Sequence, residues 1–150
     1  MTKVPTVTAP PIVVVANEAI GNLNLEQVKD RLRKGGWTYE EAEAIEEWYK
    51  RFLKLAVKHS RATLIPSVPV EEFWRQHEQE EQYEEHCRAI FGKTLVRDAK
   101  FSETPEGVRD FPMLFAHTCE LYRKEFGKSC MMESMGRLSE VGKSCRKWEG

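Results

Sequence analysis

The chain has 150 residues, 41% of them hydrophobic and 31% charged, with a formal net charge of −1. That is enough for one modest core with an appendage or two, and the near-neutral balance gives no bulk attraction to nucleic acid. Four scattered cysteines are too few for a disulfide scaffold, so the expectation is free thiols in a reducing cytoplasm. The only long apolar run near the start, Pro11–Ala16, is too short to cross a membrane and lacks the flanks of a secretory signal.

Residues 1–23 read as an extended arm, because Pro5, Pro10 and Pro11 precede the β-branched run Ile12–Val15. The alternative is a disordered tail. Helical signals then follow. Asn24 with Gln27 has the spacing of a capping box, Leu25, Val28 and Leu32 recur at helical intervals, and Gly35-Gly36 stops the run. Thr38 with Glu41 repeats the capping signal, and behind it Ala42, Ile45, Tyr49, Phe52 and Ala56 form a continuous apolar stripe. After a connector broken by Pro66, Pro69 suits the first turn of a third helix that carries Val70, Phe73, Trp74 and His77 on one face. The polar stretch Glu78–Gln82 either interrupts one long helix or separates two short ones meeting near Glu80. The stripe resumes at Tyr83, Cys87, Ile90 and Phe91, and Gly92 ends it. Residues 93–110 have no sustained period and read as loop. A last helix is predicted from about Phe111-Pro112 to Phe126, with Gly127 as its C-cap. The expected architecture is all-α: a bundle of four or five helices over residues 24–127, an extended N-terminal arm, and a flexible cysteine-containing tail over residues 128–150.

Charge is distributed unevenly. Glu71–Glu85 carries seven glutamates against one arginine, while Leu121–Gly150 carries seven Lys/Arg against four glutamates. Trp74, Glu71, Glu78 and Glu81 are therefore candidates for a protein-binding face, with the basic tail or a separate protein as partner.

The sequence offers motifs for three kinds of chemistry. Gly-Lys-Ser occurs twice, but Tyr122 and Arg137 stand where a phosphate loop needs its first glycine, and no strand precedes either copy. His77, His86, Cys87, His117 and Cys119 lie on the two predicted helices expected to face each other, so His77 with Cys87, His117 and Cys119 forms a candidate zinc set, although no C-x-x-C or H-x-x-x-H pair is present. A Cys87–His117 nucleophile pair is conceivable but has no marker in the spacing. The least ordinary feature is the repeated Gly-Lys-Ser-Cys, at Gly127–Cys130 and Gly142–Cys145. Were the intervening tail one straight helix, Cys130 and Cys145 would lie about 22 Å apart, beyond disulfide reach. Two thiols in matching settings read as two equivalent sites to be acted on or bound.

The stretches GWTYEEAEAIEEWYKRFLKLAVKHSRATLIPSVPVEEFWRQH, YEEHCRAIFG and FAHTCELYRKEFG resemble the bacterial glycine-rich domain-containing protein-like family, over Leu25 to Gly127. The resemblance implies no particular reaction. Relatives carry Trp-His-x-His where this chain has Trp74-Arg75-Gln76-His77, and a double histidine where it has Val96-Arg97. The interval from Trp74 to Tyr83 is one residue short, a rotation of about 100° along a helix. The resemblance thus implies that most of the family's histidine site is lost here. Some relatives carry cysteine-containing tails, which implies the precursor of a post-translationally modified peptide. The body would then be a folded leader, and Cys130, Cys145, Ser129 and Ser144 the targets of a modifying enzyme. The expectation is a non-enzymatic, cytoplasmic recognition domain without cofactor. The alternatives are a zinc-binding regulatory protein and an interaction subunit of a larger complex.

Overall fold

Thr38 sets the helix around which the rest is arranged. Its hydroxyl accepts from the Glu41 backbone N–H at 3.0 Å, and the Glu41 carboxylate accepts from the Thr38 N–H at 2.9 Å. This closes the capping box at the head of a twenty-residue helix, Tyr39–Lys58. The computed structural model describes residues 11–98, 104–127 and 145–148, with the backbone alone at 11–12 and 145–148. In chain order these form α1 (Pro11–Gly21), α2 (Glu26–Lys34), α3 (Tyr39–Lys58), α4 (Val68–Glu78), α5 (Tyr83–Phe91), β1 (Leu95–Asp98), α6 (Pro105–Phe126) and β2 (Cys145–Trp148).

The all-α bundle is as expected, with α3 at its centre, packed against α1, α2, α4 and α6. Its predicted stripe, Ala42, Ile45, Tyr49, Phe52 and Ala56, is buried throughout, joined by Trp48, Leu53 and Leu55. The polar stretch after Glu78 is a break, so α4 and α5 are separate helices. Gly92 and Gly127 close α5 and α6 in the left-handed conformation, with φ of 80° and 73°, which glycine adopts without a Cβ penalty.

Three elements differ from the sequence reading. Residues 11–21, read as part of an extended arm, are helical; residues 1–10 lie outside the described residues. Ala16 and Ile20, one turn apart, are buried in the core, and α1 packs on α3 and α5. That burial outweighs the modest preference of Val13–Val15 for extended backbone. Lys50 also donates to the carbonyls of Gly21 and Leu23, both at 3.3 Å, placing a cation at the carbonyl end of α1. Second, α6 begins two turns earlier than predicted, because the Thr104 hydroxyl accepts from the Gly107 N–H at 2.9 Å and Pro105 fits the first turn. Third, Leu95–Asp98 is a strand, not loop. It pairs antiparallel with β2 in the register Leu95↔Trp148, Val96↔Lys147, Arg97↔Arg146, Asp98↔Cys145. The last described residues of the tail therefore return to the body.

One ion cluster fastens α2 to α3. Lys29 is 2% exposed, and its ammonium lies 2.8 Å from Glu26, 2.8 Å from Glu43 and 2.9 Å from Glu46. Burial pulls its pKa down, but the three carboxylates outweigh that and hold it above the ordinary lysine value. Replacing Lys29 by Met keeps the stem's packing and leaves three carboxylates facing one another. The expected cost is about 3 kcal/mol, read as a lower urea midpoint at pH 7. An unchanged midpoint would show that solvent already screens the cluster.

Candidate functional site

A chain of buried polar side chains joins α3, α4 and α5. Tyr49, on the inner face of α3, has no exposed surface, and its hydroxyl lies 2.8 Å from Nδ1 of His77 on α4. Nε2 of His77 lies 2.9 Å from Nδ1 of His86 on α5. His77 is 1% exposed and stands edge-on to the rings of both Tyr49 and Tyr83.

The direction of these bonds follows from the hydroxyl. Among the described residues its hydrogen bond to His77 is the one it makes, and a buried O–H must donate. Tyr49 therefore donates to Nδ1, which leaves the His77 proton on Nε2, donating to Nδ1 of His86. A neutral His86 then carries its own proton on Nε2. That ring lines a surface cleft of about 410 Å³ with Asn24, Glu26, Gln27, Glu80 and Gln82. Glu80 is held by Arg31 at 2.5 Å.

Burial, followed by the neighbouring His86 and Arg31, pushes the His77 pKa down to about 3. Burial also lifts the Tyr49 phenol well above its ordinary value. Both groups are neutral at pH 7, and they hold helices together.

A second chain runs beside the first. Trp74 is fully buried, and its indole N–H donates to the Tyr83 hydroxyl at 2.9 Å. Tyr83 in turn donates to the Leu95 carbonyl at 2.5 Å. The strand β1 is thereby fixed to α4 and α5. Arg97 fastens it again, with its guanidinium 2.7 Å from Glu78 and 3.9 Å from Glu71.

The sequence-derived candidates are distributed as follows. The proposed zinc set is not brought together. His77 uses both ring nitrogens in the core, and Cys87 is a buried free thiol on α5. His117 is exposed on α6, which packs on α3. Cys119 is disulfide-bonded, to a cysteine whose side chain lies outside the described residues, contrary to the expectation of free thiols. Among the described residues no group of three or more His, Cys, Asp or Glu is arranged to hold a metal ion. The Cys87–His117 pairing is likewise not formed. Burial pushes the Cys87 thiol up, and the Leu95 backbone and Tyr83 hydroxyl that oppose this do not reverse it, so it is not an activated thiolate.

The protein-binding candidates need similar correction. Trp74 offers no surface. Glu71 and Glu78 are occupied by Arg97, and only Glu81 is exposed. Much of the acidic helix thus neutralises this chain's own arginines. Ser129, Cys130 and Ser144 lie outside the described residues, and Cys145 is described by its backbone alone, as the first residue of β2. What the sequence did not single out is the role of Tyr49, Tyr83, His86, Leu95 and Arg97. A histidine on an apolar stripe facing two tyrosines is the signal that a buried bonded pair exists.

A histidine kept neutral by burial makes stability depend on pH in a definite sense. Unfolded His77 takes a proton below about pH 6.5, whereas the folded ring does so only near 3. Its stabilisation is complete above pH 6.5 and is lost as pH falls, at a rate approaching about 1.4 kcal/mol per pH unit below pH 6. Urea unfolding at pH 7 and pH 5 measures it. Wild type should lose stability across this interval, and His77→Phe, less stable at pH 7, should show a flatter dependence. Equal slopes would mean that His77 is not the titrating group.

No helix of the described residues is long and apolar enough to cross a membrane. No family model, curated protein or solved structure matches the chain.

Proposed function

We propose that this chain is a non-enzymatic helical recognition domain that carries a cysteine-bearing C-terminal segment for a protein partner, most concretely a modifying enzyme. The observation that carries the reading is where the two Gly-Lys-Ser-Cys copies fall. The first begins at Gly127, the left-handed cap that ends α6. The second ends at Cys145, where β2 begins its pairing with β1. The repeat thus marks the two points at which residues 128–144 are attached to the body. Cys130, Cys145, Ser129 and Ser144 are the proposed targets, and the cytoplasm the proposed location. Kinship with the glycine-rich domain-containing protein-like family belongs to the same proposal and rests on the motifs quoted above. The neutral core histidine and the raised Cys87 thiol support a body that recognises without reacting.

A second reading, an interaction subunit of a larger assembly, is favoured by large apolar side chains left exposed, Val14 and Val15 on α1 and Val108 and Met113 on α6.

The two readings separate by intact mass. Protein purified from its native host, measured before and after reduction, should show a covalent change beyond the two hydrogens of a disulfide. Fragmentation should confine that change to residues 128–145. An unmodified reduced mass would overturn the precursor reading, and a stoichiometric co-purifying protein would then support the subunit.

A further inference from the structure

We propose that the outer edge of β1 is a strand-addition site for an extended peptide, and that Cys145–Trp148 is an exchangeable occupant which a second copy of the chain can supply in its place. The site has anchors of its own in the body. Leu95 is fully buried, and its carbonyl takes the Tyr83 hydroxyl. Tyr83 is held by the Trp74 indole, and Arg97 is tied to Glu78 and Glu71. All of these anchors come from α4 and α5. These anchors hold β1 from the side of the body, while β2 is its main neighbour, and they leave four residues of its backbone to pair with an extended segment. Antiparallel pairing of a terminal segment to an isolated, side-chain-anchored strand is the geometry by which domains capture extended peptides.

The occupant is held weakly. Its ladder is four residues long, and cross-strand pairs contribute roughly 0.2–1 kcal/mol each. Such a ladder persists because the strand is part of the same chain, at an effective concentration on the order of mM, with the Cys119 disulfide as a further tether. The same segment from another molecule has identical complementarity and lacks only that advantage. Exchange should therefore be masked in the intact chain and revealed when its own strand is disabled.

Two full-length variants, both studied with the Cys119 disulfide reduced, separate donor from receptor. Lys147→Pro puts a proline inside β2, which cannot donate to a ladder, and leaves β1 intact. Val96→Pro disables β1 and leaves β2 intact. Each should be monomeric alone by size-exclusion light scattering, and their mixture should form a one-to-one heterodimer. A mixture that stays monomeric overturns the proposal. A peptide spanning residues 142–150 with Cys145→Ser, fluorescently labelled, gives a second measurement that does not depend on Val96→Pro folding. It should bind Lys147→Pro at least about tenfold more tightly than wild type, the gain expected when a tethered competitor is removed, and the same peptide with proline at position 147 should not bind. Equal affinity for wild type and Lys147→Pro, or no binding to a Lys147→Pro chain that keeps its helical spectrum, would also overturn it. Exchange does not require modification of the segment, so these outcomes are distinct from those of the mass measurement.

Discussion

A histidine buried without charge is the constraint on which this fold depends. Taking an imidazole out of water requires that both ring nitrogens find partners, and His77 meets the requirement with the Tyr49 hydroxyl on one side and His86 on the other. Because the three residues sit on three helices, satisfying His77 fixes how α3, α4 and α5 meet. The bonds have one sense, set by a phenol with no other acceptor among the described residues. Protonating His77 would leave Nδ1 and the Tyr49 hydroxyl each presenting a proton to the other. The apolar stripe of α3 supplies the driving force for packing, while this polar chain selects one arrangement among those the stripe permits.

Everything beyond the bundle is suspended from the same corner. Tyr83 stands edge-on to His77 at 4.8 Å between ring centres and passes the Trp74 hydrogen bond on to Leu95. That places β1, and β1 receives the end of the chain. The acidic helix contributes through Glu78 and Glu71, which hold Arg97. Its charge, which resembled a docking face in the sequence, largely serves internal pairing. Lys29 plays a similar part for α2 and α3. The C-terminal segment is thus attached where side chains of α4 and α5 brace β1.

Local signals in the sequence were sufficient for α3, with its capping box and unbroken stripe, and for the glycine stops at Gly92 and Gly127, because each is decided within a few residues. They failed where the deciding contact is distant. In isolation Val13–Val15 favour extended backbone, and only the burial of Ala16 and Ile20 against α3 and α5 makes α1 a helix. A four-residue strand such as β1 has no period to detect, and its partner begins forty-seven residues further on. The candidate site was legible in part. His77 stood out as a histidine on an apolar face, and its bonded core state was foreseeable. Sharing a stripe does not reveal which way a ring nitrogen points, so His77, Cys87, His117 and Cys119 could be grouped as ligands although α6 packs on α3 and carries His117 outward. The repeat was legible as a pattern, but its coincidence with a helix cap and a strand start was not.

The central claim is that His77 is neutral, with its proton on Nε2, and that this state holds α3, α4 and α5 together. Long-range proton–nitrogen correlation of the histidine rings, followed from pH 8 to pH 4.5, tests it directly. The account predicts a His77 ring that stays in the Nε2–H form across the whole range, with Nδ1 shifted as an acceptor and no titration. A His77 that titrates near pH 6.5, or that carries its proton on Nδ1, would contradict the direction of the chain and the claim that the helices are joined through it.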